Sequence, residues 1–550
     1  MENEIAIVIA LLIGILLLLL YVCYRALRAG AKLPEQGDSD RFRFQNDVLH
    51  RRDFVRILVA GGAAAATSAV AAWKWPKRNW DHVGDVVVVG FGAAGAAGAI
   101  EAADLGARAI ILDKMPIAGG TTLMSGGTIY AAETSVQRAA GIDDSADGMF
   151  KLLMAAGGGL NQPELVEVVS RESKRTIDWL IKLGTDMWEG AYVGEPFGCE
   201  LYPEYAYLTP PVPRVHVVKG MGEGLFRTLE RSVRERDIDV MLETAATELL
   251  TAKGEIIGVR ARNRLGTMAI RARKGVILAT GGFMYNRRLL EHYCRKGLKS
   301  LPLGNPGDEG DGLRMADEVG ADVWPESDTV GLPAVKIPAS GPARPLLMNY
   351  YGLPCVLIDR SGNRFVNEGV FYEFVNDALL ALEGDPPAYL IFDEVARTHA
   401  KDKIVKYFSP DLAKEIREGI VFRSSTVEML GRKIGINPER LKATIERYNY
   451  FARQGEDPDF GKTEDMSIKP LEGSPLYAIG VHPGMIATTG GVKVNTKAQV
   501  LRATGEPIPR LYAAGRTTGG VIGVVFPASG VNLQDAICFG RIAGRNAASS

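Results

Sequence analysis

The sequence is poor in the residue patterns that bind metals and haems. It contains five cysteines among 550 residues, and no two of them form a CxxC or CxxCH pattern. Such patterns are typical of iron–sulfur and zinc sites and of c-type haem attachment. The odd number and wide spacing also argue against a disulfide scaffold and leave room for one bridge at most. We therefore expect no metal site; the cysteines are Cys23, Cys199, Cys294, Cys355 and Cys538.

A large net charge of either sign is also missing. Lysine and arginine together number 64, against 65 for aspartate and glutamate, which gives a formal charge of −1. Proteins that bind nucleic acid usually carry a marked positive excess, so we expect no nucleic-acid partner. Glycine, by contrast, is abundant at 63 residues and is spread over many short loops. Such a composition is typical of chains that bring their backbone close to a large ligand.

An apolar run near the start predicts a membrane segment. Residues 5–22 are uninterrupted in their apolar character and are numerous enough to cross a bilayer. Arg25, Arg28 and Lys32 follow the run, which by the positive-inside rule places them in the cytoplasm. We therefore predict a transmembrane helix within residues 1–30 and a membrane-associated protein. A cleaved secretory signal is the alternative, although its positive charges would precede the apolar run.

A second apolar segment begins after paired arginines. Arg51 and Arg52 are followed by Phe54 and by an Ala- and Gly-rich apolar stretch over residues 57–72. The pattern resembles a twin-arginine export signal, which carries folded, cofactor-loaded proteins across a membrane. A second membrane helix or a basic juxtamembrane turn is the alternative. In both cases residues 31–80 connect to a main domain that we expect on the periplasmic, or extracytoplasmic, side.

The main domain opens with the pattern of a dinucleotide-binding fold. Residues 85–89 read as a buried parallel strand, because they are continuously β-branched apart from the first. A GxGxxG turn follows at 90–95, then an Ala-rich helix and a second strand at 109–112. The second strand ends at Asp113, whose carboxylate is in position to hold ribose hydroxyls. Strand, glycine turn, helix, strand and acid in this order predict nucleotide binding.

Each residue of the turn has a separate role. Gly90 makes the tight turn, Gly92 lets the backbone approach a pyrophosphate, and Gly95 lets the helix pack on the strand. Ala93 and Ala94 begin the helix, whose free N–H groups and positive dipole end attract phosphate.

Later stretches extend this pattern toward FAD. A basic and glycine-rich segment lies at 114–127, another strand ends in glycines at 275–282, and a third segment lies at 511–516. Together they resemble the family of FAD-binding fumarate reductases, succinate dehydrogenase flavoprotein subunits and 3-ketosteroid dehydrogenases, over roughly residues 82–548. The other stretches that carry the resemblance are 307–312, 363–368 and 540–544.

The resemblance implies an α/β fold with a split, Rossmann-like FAD-binding domain. Its two parts would be residues 81–320 and 471–550, with an α+β cap, or substrate, domain inserted at 321–470. The cofactor would be FAD, and the active site would lie in the cleft between cap and FAD domain. By the same resemblance, Ala246 contacts the adenine. The other residues implied to hold the cofactor are Lys114, Gly120, Thr121, Thr122, Ser125, Gly126, Gly127, Thr280, Gly281, Gly515, Arg516, Asn532 and Leu533.

The residues expected beside the flavin do not suit a dicarboxylate. Fumarate reductases carry a proton-donating arginine four residues after the glutamate of the 363–368 stretch, and this chain has Tyr372 there. Their late histidine pair is replaced by Ile486 and Ala487, and residues 524–530 carry no charge. Because carboxylates are bound by guanidinium groups, we do not expect fumarate or succinate as the substrate.

Tyr372 instead matches the catalytic tyrosine of 3-ketosteroid 1-dehydrogenases. Desaturation beside a ketone sends a hydride to flavin N5 and a proton to a base, and a tyrosine serves only if its pKa is lowered or its proton is relayed. In those enzymes a tyrosine hydroxyl and a glycine N–H hold the ketone oxygen. Here Gly530 retains the N–H, Phe526 replaces the tyrosine, and Ser529 is the candidate replacement for its hydroxyl. Tyr130 is a candidate for a further active-site tyrosine.

We therefore predict an FAD-dependent enzyme that acts on a C–C or C=C bond next to a carbonyl of a hydrophobic small molecule, such as a 3-ketosteroid. A fumarate-reductase-like reductase of an enone or unsaturated acid is one alternative. A flavin electron-transfer subunit without its own substrate is another. The electrons would pass to a separate carrier, for which the membrane segment favours a quinone. Residues 197–213, rich in tyrosine and proline, are interpreted as a lid or as an irregular surface loop.

Overall fold

The computed structural model describes the following parts of the chain: residues 80–187, 198, 199, 205, 211–337, 342–346, 354–399, 408–463, 466, 468–523 and 525–550. The predicted transmembrane helix in residues 1–30 lies outside the described residues, as does the twin-arginine-like segment before Trp80. Across these described ranges, no helix is both long enough and apolar enough to cross a membrane.

Strands and helices alternate in the first part of the chain and again near its end. The strands are β1 (His82–Val89), β2 (Ala109–Leu112), β3 (Thr128–Tyr130), β4 (Val215–Val217), β5 (Asp239–Met241), β6 (Ala245–Ala252), β7 (Glu255–Asn263), β8 (Gly266–Leu278), β9 (Leu301–Pro302), β10 (Thr329–Val330), β11 (Ala334–Val335), β12 (Arg344–Pro345), β13 (Val356–Ile358), β14 (Ala388–Asp393), β15 (Val421–Ser424), β16 (Leu476–Val481), β17 (Gly484–Met485), β18 (Ala487–Thr488), β19 (Gln499–Leu501) and β20 (Pro507–Ala513).

The helices lie between these strands. They are α1 (Ala93–Asp104), α2 (Gly120–Met124), α3 (Ser135–Ala139), α4 (Ala146–Gly157), α5 (Pro163–Lys182), α6 (Met221–Arg234), α7 (Arg287–Tyr293), α8 (Asp311–Asp317), α9 (Tyr372–Ala381), α10 (Glu394–His399), α11 (Ala413–Arg417), α12 (Val427–Ile434), α13 (Pro438–Ala452) and α14 (Val531–Ser549). Two short 3₁₀ helices lie at Arg295–Lys299 and Gly515–Thr517.

The largest sheet has the strand order β19-β20-β8-β1-β2-β5, and the β6–β7 hairpin extends it from β8. Strands β20, β8, β1, β2 and β5 run parallel to one another, with Val89 level with Leu112 on one side and Leu278 on the other. The outer strand β19 and the hairpin strand β7 pair antiparallel with β20 and β8. The carboxyl ends of these strands therefore meet at one edge, which is where nucleotides bind in open α/β sheets. The predicted glycine turn, Asp113, Thr280 and Gly515 all follow strands at this edge.

The C-terminal helix joins the two parts of the FAD-binding domain. Helix α14 packs on α1 at close range, because glycines occupy the contact. A Cβ on Gly540 would lie 2.4 Å from the Ala94 carbonyl oxygen, and one on Gly544 would lie 2.2 Å from that of Gly98. The glycines of the 540–544 stretch thus let the end of the chain reach the helix that follows the phosphate-binding turn.

A second, antiparallel sheet of order β13-β14-β16-β15 forms the inserted cap. Its core packs against helices α12 and α13 on one face and against apolar residues of α9 and α10 in a separate cluster. Strand β16 ends at Val481, so the cap sheet continues past residue 470, the boundary expected from the resemblance. Every cap strand is antiparallel to its neighbours, in contrast to the mainly parallel FAD-binding sheet.

The 363–368 stretch builds a buried ionic network inside the cap. Arg364 donates two hydrogen bonds of 2.9 Å to Glu368 and two of 3.0 Å to Asp457. Glu368 also accepts the Leu357 N–H at 2.9 Å, and its second cationic neighbour is Lys462 at 3.6 Å. All four ionic side chains are at most 5% exposed. This motif therefore holds the cap together.

Replacing Arg364 by alanine should destabilise the cap by about 3–5 kcal/mol, because two buried carboxylates lose their main partner. The free energy of unfolding by urea is the measurement. The exposed pair of Arg447 with Asp459 provides the matched control, since Arg447→Ala removes an ion pair that water already screens. Equal free energies of unfolding for the two variants would show that the buried network stabilises the cap no more than an exposed ion pair does.

Candidate active site

The glycine turn after β1 is fixed by close backbone contacts. Gly90 has a φ of 106°, and a Cβ there would lie 2.2 Å from the Ala279 carbonyl oxygen. A Cβ on Gly95 would lie 1.9 Å from the Gly90 carbonyl oxygen. Gly92 is different, because its nearest protein atoms to a Cβ are 3.6 Å and 3.8 Å away. The backbone at Gly92 is thus less crowded than at Gly90 or Gly95, and a methyl group there would meet only ordinary van der Waals contacts.

Asp113 is held in a fixed orientation at the end of β2. Its two carboxylate oxygens each accept one backbone N–H at 2.8 Å, from Phe91 and from Met115. Burial raises the pKa of the carboxyl group, although these two hydrogen bonds oppose the shift. The bond to Phe91 ties the acid to the glycine turn, and the remaining lone pairs are available to hydroxyl donors.

A partly open pocket lies at this edge of the sheet. It is lined by six residues expected to hold the cofactor, which are Gly90, Gly92, Asp113, Lys114, Ala246 and Thr280. It is also lined by Asn305, Asp308 and Asp311, which the sequence argument did not assign. Lys114 has its ammonium group 2.6 Å from both Glu309 and Asp311, so its charge is matched by the protein at the cavity wall.

Asp308 is the main site residue that the sequence analysis missed. Its carboxylate lies 2.7 Å from Arg516 Nη2 and accepts the Thr121 hydroxyl at 3.0 Å. Asp308 also explains why position 281 is a glycine, because a Cβ there would lie 2.2 Å from Asp308 Oδ1. The 307–312 stretch carried the resemblance, but spacing alone gave no reason to pair it with Thr121 or Arg516.

Arg516 supplies a test of whether a cofactor fits here. Its Nη1 is buried and has no hydrogen-bond partner among the described residues. A buried guanidinium N–H without a partner is costly, so the site is suited to a ligand that brings an acceptor. The less crowded backbone at Gly92, the oriented Asp113 and this donor together fit a bound dinucleotide such as FAD.

The predicted flavin-side residues form a continuous backbone cradle. Thr122 Oγ1 accepts the Ala93 N–H at 3.0 Å, which links α2 to the start of α1. Ser125 Oγ donates to the Thr122 carbonyl at 2.7 Å and accepts the Gly127 N–H at 3.2 Å. The remaining members of the cradle are Gly120 at the start of α2 and Gly126 in the loop after it.

The N-terminus of helix α14 lies in this same region. Gly530 caps the helix with a φ of 102°, and Asn532 and Leu533 lie half-buried in the first turn. Gly515, with a φ of 66°, packs against Ala94 at the start of α1. The N-termini of two helices therefore flank the cradle, and both favour negative charge.

Tyr372 and Ser529 are in hydrogen-bond contact. Their hydroxyl oxygens are 2.7 Å apart, although 157 residues separate them in the chain. Tyr372 is the first residue of the cap helix α9, while Ser529 immediately precedes the helix cap at Gly530. The structure thus brings a cap residue and a residue of the FAD-binding domain together at one point.

The surroundings of this pair are apolar. The Phe371 ring lies 4.3 Å from that of Tyr372 and is stacked with Phe526 at 6.4 Å. Burial raises the pKa of Tyr372 well above its ordinary value, and the hydrogen bond from Ser529 only partly offsets it. The neighbouring Glu373 carboxyl raises the pKa of Tyr372 further. The surroundings therefore do not lower the tyrosine pKa, and they favour its neutral form.

The backbone of Tyr130 lies beside Gly530, next to this pair. A Cβ on Gly530 would lie 2.7 Å from the Tyr130 nitrogen, which explains why glycine stands there. The Tyr130 side chain is completely buried and hydrogen-bonds with Arg214, whose partner is the equally buried Asp144 at 2.6 Å. Tyr130 therefore belongs to a buried polar cluster that includes His216 next to Arg214.

The predicted lid touches the site where it can be described. Gly198 pairs with Ala528, and the Cys199 N–H donates to the Pro527 carbonyl at 2.8 Å. Tyr205 packs against the main core, and most of residues 197–213 lie outside the described residues. The stretch from 197 to 213 contains no lysine, arginine or histidine.

Gly92→Ala should leave the protein folded but weaken its retention of FAD by about tenfold or more, ~1.4 kcal/mol. The added methyl group meets only ordinary protein contacts, yet it occupies the face that a pyrophosphate must approach. Flavin absorbance per mole of purified protein, together with Tm, is the measurement.

Gly95→Ala is the matched comparison, because its methyl group would collide with backbone and should lower Tm itself. A Gly92→Ala protein with full flavin content would contradict the assignment of this face to the cofactor.

Comparisons with known proteins agree with this geometry. Residues 85–533 match the family model described as an FAD binding domain. The fumarate reductase (cytochrome) of Shewanella frigidimarina is 34% identical over 469 residues, which cover 84% of this chain and 77% of that protein. The 3-oxosteroid 1-dehydrogenase of Mycolicibacterium smegmatis is 28% identical, with 85% and 97% covered.

A solved structure gives the same result for the fold. The 3-ketosteroid-Δ4-(5α)-dehydrogenase of Rhodococcus jostii RHA1, in complex with 4-androstene-3,17-dione, has a TM-score of 0.68 and 29% identity. The match covers 86% of this chain and 99% of that one. The expected FAD is thereby confirmed. The chain therefore belongs to the FAD-binding family that includes fumarate reductases and 3-ketosteroid dehydrogenases, and it is an FAD-dependent oxidoreductase that acts on carbon–carbon bonds.

Proposed function

We propose that this enzyme adds or removes hydrogen across a carbon–carbon bond next to the carbonyl of a hydrophobic, steroid-like ketone. The observation that carries the proposal is the hydrogen-bonded pair of Tyr372 and Ser529, which stands in apolar surroundings where a dicarboxylate enzyme needs cations. FAD, when bound, supplies the acceptor or donor of the hydride. Side chains and backbone groups of the protein must transfer the proton and bind the carbonyl oxygen.

Tyr372 Oη is the proposed proton-transfer atom. In reduction, the neutral phenol donates its proton to carbon, and the raised pKa keeps it protonated and ready. In dehydrogenation, Tyr372 accepts a proton from carbon as its own proton passes along the hydrogen bond to Ser529 Oγ, and the Ser529 hydroxyl releases its original proton to water. Since its surroundings do not lower the pKa, this relay is the route open to the oxidative direction.

The carbonyl oxygen of the substrate is assigned to the N–H of Gly530. This N–H makes no hydrogen bond within the described residues. It lies at the N-terminus of the 19-residue helix α14, where a developing negative charge is stabilised. The hydroxyl of Ser529 is next to this N–H in the chain. The group that binds the carbonyl oxygen and the hydroxyl that relays the proton therefore belong to adjacent residues.

A second candidate is a reductase of an enone or an unsaturated acid, like the fumarate reductases. Two observations favour it. The 34% identity to a fumarate reductase exceeds the 28% identity to the steroid enzyme. The raised pKa of Tyr372 also suits a proton donor better than a base. We also propose an extracytoplasmic location and a separate electron carrier, for example a quinone. Cell fractionation that found the protein free in the cytoplasm would contradict the location.

Tyr372→Phe should keep the full FAD content but lower kcat about 10²-fold, with little change in KM, because the proton-transfer group is removed. Steady-state kinetics with an artificial electron donor or acceptor is the measurement. Tyr389→Phe is the control, since Tyr389 is a half-buried cap tyrosine, whose ring packs on Phe422. If Tyr372→Phe turned over at the rate of the control, Tyr372 would not be the proton-transfer residue.

The rate of reduction should stay constant as the pH rises through about 10, the ordinary tyrosine pKa. Burial holds the Tyr372 pKa above that value, so the donor remains protonated across this range. The measurement is the pH dependence of kcat for an enone steroid. A rate that fell with a midpoint near pH 10 or below would contradict the buried, neutral tyrosine.

A further inference from the structure

The chain crosses between the FAD-binding domain and the cap twice, once at residues 330–334 and again at 482–487. These two crossings lie side by side. Strands β10 and β18 pair on the FAD-binding side, and Ala334 pairs with His482 on the cap side. Between these two points Gly331 faces Gly484. A Cβ on Gly331 would lie 2.1 Å from the Gly484 carbonyl oxygen, and one on Gly484 would lie 2.4 Å from that of Leu332. The two crossings therefore touch through glycine backbone.

The N–H groups of both glycines are bound by side chains of one helix. Gly331 N–H donates to Glu373 Oε2 at 2.8 Å, and Gly484 N–H donates to Asn376 Oδ1 at 2.9 Å. Both acceptor side chains are buried. They lie three residues apart on α9, which places them on one face of the helix.

The same helix begins with Tyr372. Its hydroxyl bonds to Ser529 in the FAD-binding domain, while Lys299 of that domain donates to the Leu380 carbonyl near the other end of α9 at 3.4 Å. Tyr372, Glu373 and Asn376 lie within the first five residues of α9, so a displacement of this end of the helix would change the contacts of all three.

We propose that Glu373 and Asn376 are positioning residues, which tie both interdomain crossings to α9 and thereby hold the Tyr372 hydroxyl against Ser529. This inference rests on the proposed role of Tyr372 in proton transfer. The two residues touch neither substrate nor cofactor in this account, and they act through Tyr372. Burial raises the pKa of the Glu373 carboxyl, so a neutral amide should replace it closely.

The test compares Glu373→Leu and Asn376→Leu with the conservative Glu373→Gln. Each leucine removes one acceptor and leaves a buried glycine N–H without a partner, so kcat should fall about tenfold. FAD content and KM should stay unchanged. Glu373→Gln retains an acceptor oxygen and should recover most of the rate. Asp377→Asn is the control, because Asp377 lies on the same helix but its side chain is 42% exposed.

A double-substitution experiment separates positioning from a general loss of stability. In a Tyr372→Phe background, the leucine substitutions should lower kcat no further, because they act through the missing hydroxyl. An equal additional loss in that background would overturn the proposal, and so would leucine variants with normal kcat.

Amide hydrogen exchange tests the same contacts without activity. In the unaltered protein, the Gly331 and Gly484 amides should exchange as slowly as core amides, and the leucine variants should exchange faster at the affected glycine. Rapid exchange in the unaltered protein would overturn the proposal even if the variants failed to fold. If Tyr372→Phe turned over normally while the exchange results held, the proposed function would fail and the attachment of the crossings to α9 would stand.

Discussion

The hydrogen bond between Tyr372 and Ser529 is the interaction on which the active site depends. It joins Tyr372, the first residue of helix α9 in the cap domain, to Ser529, which precedes the N-cap residue of α14. The bond therefore exists only while the cap domain and the FAD-binding domain are correctly placed against each other. Burial favours the neutral form of the Tyr372 hydroxyl, and its ring packs on Phe371, which is stacked with Phe526. A site organised in this way can move a proton and hold a neutral carbonyl, but it offers no charge-matched clamp for two carboxylates.

The cofactor side of the site depends on a different constraint, which is close approach of backbone. Parallel strands end at one edge, and glycines at positions 90, 95 and 281 let neighbouring chain segments pass within contact distance. Several charged side chains there are paired within the protein, as Asp308 is with Arg516 and Lys114 with Asp311. Two buried guanidinium nitrogens have no hydrogen-bond partner in the described part of the chain, and one of them, Arg516 Nη1, belongs to this side of the site.

Local patterns explain why much of this could be predicted. The strand, turn, helix and acid around Gly90 to Asp113 follow from short-range periodicity and glycine spacing, and the structure places them at one cavity. Ser529 was a candidate by position, but its bond to Tyr372 spans 157 residues and no local signal indicates it. Asp308 was missed for the same reason, since its partners Thr121 and Arg516 are remote in the chain. The state of the Tyr372 hydroxyl depends on burial, which a sequence does not give.

The FAD-loaded protein should bind a 3-ketosteroid in preference to succinate. Perturbation of the flavin absorbance on titration with a 3-ketosteroid and, separately, with succinate measures both dissociation constants directly. We expect saturable binding of the ketone and no saturable binding of the dicarboxylate, since the ring of Tyr372 packs on Phe371, which is stacked with Phe526. Tight binding of succinate with no response to the ketone would contradict the account.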